Sequence, residues 1–351
     1  MVFRCARATG VATAAPSTAL DAKSGRHRDL GPVESNAVTS PLHTDELAIH
    51  LSLVRDLVDR ALPTCAALQL SRLASSGSSN ALFRLGDELL VRLPRQPGGS
   101  ATIDKEARWL PEIGPLLPVP VPDVVAVGEP GFGYPERWSV VRWLHGDVPP
   151  AVGLETPVAP ARRSLARELA DVVVALGRID VPPDALRDSA LRWYRGEPLA
   201  TRDSETRGHI EACRAIPGLA LDLDATRQVW EDAMTLPGVD RPAPPRWYHG
   251  DLLAENLLVR DGRLAAVLDF GGLGVGDPTV DLIAGWEVLD APAREVFCTS
   301  LGLDDATWFR GRAWALSIAV MTLPYYWRTM PARCADRLAM ARAVLEDAAT
   351  T

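Results

Sequence analysis

His249-Gly250-Asp251, an asparagine five residues later at Asn256, and Asp269 thirteen beyond that leave this chain few ways to fold. Between the last two lie two short Val/Leu-rich runs, 257–259 and 264–268, split by Asp261-Gly262. That pattern predicts a β-hairpin. A hairpin returns the chain to where it started, so Asn256 before it and Asp269 after it stand side by side. An amide oxygen beside a carboxylate suits Mg²⁺, which prefers hard oxygen ligands and keeps waters and phosphates in its other positions. Asp251, on the same loop, then meets an acceptor hydroxyl while the metal holds phosphates. Taken singly, His-Gly-Asp reads as a turn and Asp before Phe-Gly as a cap. Their order and spacing carry the functional reading.

The rest of the chain reads as strands first and helices later, an α+β pattern in two lobes. Residues 1–42 are rich in Ala, Ser, Thr and Gly without apolar periodicity, and are expected to be a disordered extension or an over-extended gene start. A helix is predicted from Thr44 as N-cap, with Asp45 and Glu46 in its first turn and Leu47, Leu51, Val54, Leu57 and Val58 on one face. Strands follow near 81–85 and 88–93, a helix near 102–113, and strands near 123–128 and 138–143. Beyond Gly146 the pattern is helical, with a stripe at Leu165, Leu169, Val172 and Leu176. The apolar run Trp314–Trp327, broken by Pro324, is too short for a bilayer and reads as a buried helix.

A chain of 351 residues has room for two lobes. Its net charge of -8 argues against a nucleic-acid partner, which favours a basic surface. Five scattered cysteines without a CxxC pair offer no disulfide framework or zinc site and fit a reducing cytoplasm. No targeting or membrane segment is expected.

Tyr248 to Leu252, Asn256 to Val259, Val267 to Gly271 and Gly276-Asp277-Pro278 with Asp281-Leu282 together resemble the aminoglycoside phosphotransferases, relatives of the protein kinases. The resemblance runs over roughly 44–330 and is most specific at 248–282. It implies a kinase-like fold, with a small antiparallel nucleotide-binding lobe at 43–143 and a larger catalytic and acceptor-binding lobe at 144–351. Asp251 is then the catalytic aspartate, Asn256 and Asp269 hold Mg²⁺, His249 is structural, and Asp281 supports the catalytic loop. Kinases carry a lysine on the α/β-phosphates, and here that place is Arg92, which Glu106 is expected to hold. A solvated ion pair is the competing reading of Arg92 and Glu106.

By the same resemblance the loop Ser75–Asn80 covers the phosphates through Ser78 and Ser79, although it lacks a GxGxxG motif. Arg142 and Leu144 lie at the hinge that binds the nucleobase. The acids between 201 and 240 either attract a polyamine-like acceptor or form a solvated helix face, and Trp193-Tyr194 and Tyr325-Tyr326 either line a pocket or fill the core. The implied activity is transfer of the γ-phosphoryl group of ATP or GTP to a hydroxyl of an aminoglycoside- or macrolide-like antibiotic. A metabolite kinase acting on an amino alcohol, sugar or homoserine, and a nucleotide-binding pseudoenzyme, stand as alternatives.

Overall fold

The computed structural model describes residues 42–73, 78–151 and 159–350. The expected extension up to residue 41 and the loop residues Ser75, Ser76 and Gly77 lie outside them. In chain order the elements of the first lobe are α1 (Leu51–Ala61), β1 (Leu70–Arg72), β2 (Asn80–Leu85), β3 (Leu89–Pro94), α2 (Ser100–Ile113), β4 (Val124–Gly128) and β5 (Trp138–Arg142). The strands form one antiparallel sheet in the order β1-β2-β3-β5-β4. Alternation along the pleat decides what each face does. Phe83, Leu85, Val91, Leu93 and Val140 are buried with Leu53, Val54, Leu57 and Val58 of α1. Arg92, between Val91 and Leu93, points to the opposite face, toward α2.

The first helix begins later than the sequence suggests. His50 is the N-cap of α1, its Nδ1 accepting from the Leu53 N–H at 3.1 Å. The acids assigned to its first turn are used across the sheet edge instead. Glu46 pairs with Arg95 at 2.5 Å, and Asp45 accepts from Gln96 at 2.7 Å. The Leu47 N–H donates to the Arg95 carbonyl at 2.7 Å, which keeps 42–50 out of the helix.

The second lobe continues with α3 (Ala159–Arg178), α4 (Pro183–Arg187), α5 (Asp203–Cys213), α6 (Leu223–Ala233), β6 (Arg246–Tyr248), β7 (Leu257–Arg260), β8 (Arg263–Val267), β9 (Gly274–Gly276), α7 (Ala284–Glu287), α8 (Ala291–Leu301), α9 (Asp305–Tyr326) and α10 (Pro331–Thr350). The expected hairpin is β7–β8, and Asp261 and Gly262 at its tip both have positive φ, as a tight primed turn requires. The apolar run around Trp314 is the buried helix α9, with Pro324 in its last turn. Among the described residues no helix is long and apolar enough to cross a membrane.

Two hydrophobic clusters divide the molecule, and α2 joins them. Trp109, Leu110 and Ile113 in its second half belong to the larger cluster, with Trp109 against Trp247 at 5.3 Å between ring centroids. Its first half faces the sheet through Glu106. The helix is therefore placed to set the distance between the two lobes.

Candidate active site

The loop carrying His249, Gly250 and Asp251 leaves β6 at Tyr248 and is held from below by one carboxylate. Asp281 accepts the N–H groups of His249 and Gly250, each at 2.7 Å. Burial pushes the Asp281 carboxyl up, while His249 and the two N–H donors oppose it. Gly250 has φ 84°, and a Cβ there would lie 2.5 Å from the Gly272 carbonyl oxygen, so the turn admits glycine alone. His249 is fully buried, stands edge-on to Phe270, and donates from Nε2 to the Leu268 carbonyl at 2.9 Å. Its Nδ1 accepts the Asp251 N–H at 3.1 Å. Both ring nitrogens are thus engaged by the backbone on either side of the hairpin.

Asp251 emerges from that loop with 26% of its side chain exposed and both oxygens engaged. Asn256 donates from Nδ2 to the Asp251 carbonyl at 2.9 Å and to Oδ2 at 3.0 Å. Oδ1 pairs with Arg195, a residue that no motif in the sequence singles out. Burial works against the Asp251 charge, but the Arg195 guanidinium outweighs it and holds the carboxyl below its ordinary value.

At the far end of the hairpin the Leu268 N–H donates to the Asn256 carbonyl at 2.8 Å, which brings Asp269 beside Asn256 as the spacing predicted. Asp269 adopts a left-handed conformation (φ 54°, ψ 73°) and caps the Phe270 turn through Gly271. Such a conformation in a non-glycine residue costs about 1–3 kcal/mol and gathers at functional sites. With its Nδ2 turned to Asp251, Asn256 presents its amide oxygen on the other side. Asp269 keeps 37% of its side chain exposed. One amide oxygen and one open carboxylate suit Mg²⁺, which typically takes one or two carboxylates and completes its shell with water and phosphate.

The Arg92–Glu106 pair is buried, which removes the solvated alternative. The two side chains meet at 2.5 and 3.2 Å with 6% and 1% exposure, and Arg92 Nη2 lies 3.7 Å from Asp269 Oδ1. Burial opposes the Arg92 charge, but Glu106 and then Asp269 more than offset it and hold the guanidinium above its ordinary value. Strand β3, helix α2 and the Phe270 turn are thereby tied at one point.

Lys105, next to Glu106, adds a second tie that the sequence did not single out. Its Nζ donates to the Gly271 carbonyl at 2.6 Å from a buried position. Burial lowers its pKa to about 8, against the pull of Glu106 and Asp269. The unfolded chain binds this proton more tightly, so the lysine makes stability rise with pH between about 8 and the ordinary 10.5. Below that window the cost of burying the charge is fully present, and above it the cost is gone. Lys105→Met should flatten that rise, measured by urea unfolding of nucleotide-free protein across the window. An identical slope in variant and wild type would contradict it.

The remaining predicted positions are less concentrated. Ser78 is turned toward the helical lobe: its Oγ accepts from Arg333 of α10 at 2.8 Å, and its carbonyl meets His43 Nε2 at 3.0 Å. The Ser79 carbonyl accepts from the Arg95 N–H at 2.9 Å. Arg142 faces its neighbouring strand, its N–H donating to the Asp123 carbonyl at 3.0 Å and its guanidinium pairing with the Asp123 carboxylate at 2.9 Å. That N–H is therefore engaged, and Leu144, in the segment after β5, remains as the expected hinge position. Of the acids of 203–231, Asp222 caps α6 and the others form ion pairs with local arginines, among them Asp203 with Arg207, Glu211 with Arg214 and Arg227, and Glu231 with Arg207. They make an ion-paired helix face.

A sequence profile described as the APH phosphotransferase enzyme family matches residues 71–314. No curated protein sequence matches the chain. Among solved structures, the GDP complex of wild-type aminoglycoside 2'-phosphotransferase-IIIa is 20% identical with a TM-score of 0.63, over 85% of this chain and 98% of that one. Macrolide 2'-phosphotransferase MphH from Brachybacterium faecium is 23% identical with a TM-score of 0.56, over 84% of this chain and 98% of that one. The ternary complex of streptomycin, ATP and APH(2")-IIa is 15% identical with a TM-score of 0.56, over 85% and 99%. These likenesses show a common two-lobed, protein-kinase-like fold. Because the matched profile spans more than half of the chain and takes in the His249–Asp251 loop, the hairpin and the Arg92–Glu106 pair, the chain belongs to the APH family of phosphotransferases.

Proposed function

We propose that this protein transfers the γ-phosphoryl group of ATP or GTP to a hydroxyl of a small molecule, with an antibiotic of the macrolide or aminoglycoside kind as acceptor. The observation that carries this reading is the convergence of Asp251, Asn256, Asp269 and the buried Arg92–Glu106 pair around one open carboxylate. Asp251 orients the acceptor O–H and receives its proton. The acceptor oxygen forms its bond to the γ-phosphorus as the bond from that phosphorus to the bridging oxygen breaks, and the nucleoside diphosphate leaves with the electron pair. Such a loose transfer needs positioning more than a strong base, so a carboxylate suffices. Asn256 and Asp269 would hold Mg²⁺, whose charge would neutralise the β- and γ-phosphates. Arg92, fixed by Glu106, supplies charge to the phosphates, and Leu144 offers backbone groups to the base. A nucleotide-dependent reaction of this kind belongs in the cytoplasm.

The named neighbours include complexes with GDP and with streptomycin and ATP, which supports a nucleotide donor and a small acceptor. Within the acceptor class, the ion-paired acids of 203–231 favour a molecule with few positive charges over a polycation. That observation also supports the metabolite-kinase alternative. The test is a phosphorylation panel of macrolides, aminoglycosides, amino alcohols and sugars, each with Mg-ATP and Mg-GTP. Turnover of a macrolide above the aminoglycosides is the expected outcome. Nucleotide binding by thermal shift with no turnover of any acceptor would favour the pseudoenzyme reading.

A further inference from the structure

We propose that Arg195 is a positioning residue for phosphoryl transfer, locking the Asp251 carboxylate in the rotamer that meets the acceptor hydroxyl. The inference rests on the reading of Asp251 given above. Arg195 lies on a single 3-10 turn, Tyr194–Gly196, that the fold clamps against the catalytic loop. A Cβ at Gly196 would sit 2.4 Å from the Tyr248 ring, so only glycine lets the turn come this close. The Gly196 carbonyl accepts the Asp277 N–H at 2.8 Å, and Tyr248 Oη donates to the Trp193 carbonyl at 3.4 Å.

The guanidinium is fixed through Nε, Nη1 and the face of its plane. Its Nε donates to Tyr194 Oη at 3.1 Å, and its plane lies over the Trp193 ring at 4.5 Å. Nη1 donates to the Gly250 carbonyl at 2.5 Å and to Asp251 Oδ1. Asp251 is the carboxylate that Arg195 pairs with, and Arg195 itself is buried. The two oxygens of Asp251 are therefore each restrained, Oδ1 by a residue far upstream in sequence and Oδ2 by Asn256. The partly exposed face of the carboxylate is left for the acceptor. Trp193 and Tyr194, read from sequence as pocket or core aromatics, serve as the platform for this arginine.

A misplacement of about 1 Å in a reacting group costs on the order of 10²-fold in rate. Arg195→Ala should therefore lower kcat by about 10- to 100-fold and leave the nucleotide KM near its wild-type value. Arg195→Lys keeps the charge without the fork and should recover part of the loss. Added guanidinium ion should restore kcat to Arg195→Ala in a saturable manner, an effect that a purely structural loss does not show. In an Asp251→Ala background the Arg195→Ala change should cost nothing more, because both act through one contact.

The experiment measures kcat and KM for wild type, Arg195→Ala, Arg195→Lys and Asp251→Asn on one acceptor, with melting temperatures alongside. If Arg195→Ala is unfolded, the Lys variant decides: reduced kcat at wild-type KM supports the inference, and wild-type kcat overturns it. Loss of kcat in folded Arg195→Ala that guanidinium does not rescue overturns it as well. Should Asp251→Asn itself retain turnover, the reading of Asp251 fails. An inactive Asp251→Asn beside fully active Arg195 variants sinks only the present inference.

Discussion

Asp251→Asn is expected to lower kcat by about 10²- to 10⁴-fold, the usual contribution of a positioned acid–base group, with Mg-nucleotide affinity nearly unchanged. The geometry separates the two quantities. Asp251, held by Arg195 and Asn256, is the residue proposed to meet the acceptor, whereas those proposed to contact metal and phosphate are Asn256, Asp269 and Arg92. A group that acts on the acceptor contributes mainly in the transition state, so its loss appears in kcat. The amide also leaves Arg195 without its carboxylate, so a lower melting temperature should accompany the lost activity. Nucleotide titration by calorimetry and steady-state kinetics on the same preparation check both halves. Nucleotide affinity that fell as far as kcat would move Asp251 into the donor site.

Arg92→Ala should damage both binding and stability. A solvated ion pair is worth at most about 1 kcal/mol. Arg92 and Glu106 are buried, and breaking such a pair typically costs about 3–5 kcal/mol because one charge stays behind without its partner. The nucleotide KM should rise and kcat should fall, since the cation that approaches Asp269 within 3.7 Å is gone. Arg92→Lys should keep part of the activity, as charge survives while the two-pronged contact is lost. Glu106→Gln should resemble a milder form of Arg92→Ala. The double variant should be less impaired than the sum of the single losses. Denaturant unfolding and nucleotide kinetics on the four proteins test this, and strictly additive losses would contradict a shared contact.

The sequence made the second half of the site legible because its geometry is local. Asn256 and Asp269 are joined by a hairpin whose strands and turn are written in neighbouring residues, so spacing alone predicts their meeting. Arg92 and Glu106 were legible in a different way, through the places that the resemblance to the kinase pattern implies for them on a strand and on the helix that follows. What escaped the sequence was fixed by partners far along the chain. The start of α1 was misplaced because Asp45 and Glu46 answer to Gln96 and Arg95 and not to the helix. Arg195 sits in a short turn without motif, and its partner Asp251 is 56 positions away. The pairing of β6 with β9 rests on two three-residue strands, too short for any periodicity to show. The acids of 203–231 read equally as a polyamine attractor or a solvated helix face, and only the arginines lying against them in the fold distinguish the two.

The most direct test of the account follows a labelled γ-phosphoryl group. With Mg²⁺ and γ-labelled ATP or GTP, the wild-type protein should move the label onto a macrolide- or aminoglycoside-type hydroxyl, and Asp251→Asn should bind the same nucleotide while leaving the label on it. Equal transfer by both proteins, or release of label to water alone by the wild type in the presence of every acceptor, would contradict the claim that this loop directs phosphoryl transfer to a small-molecule hydroxyl.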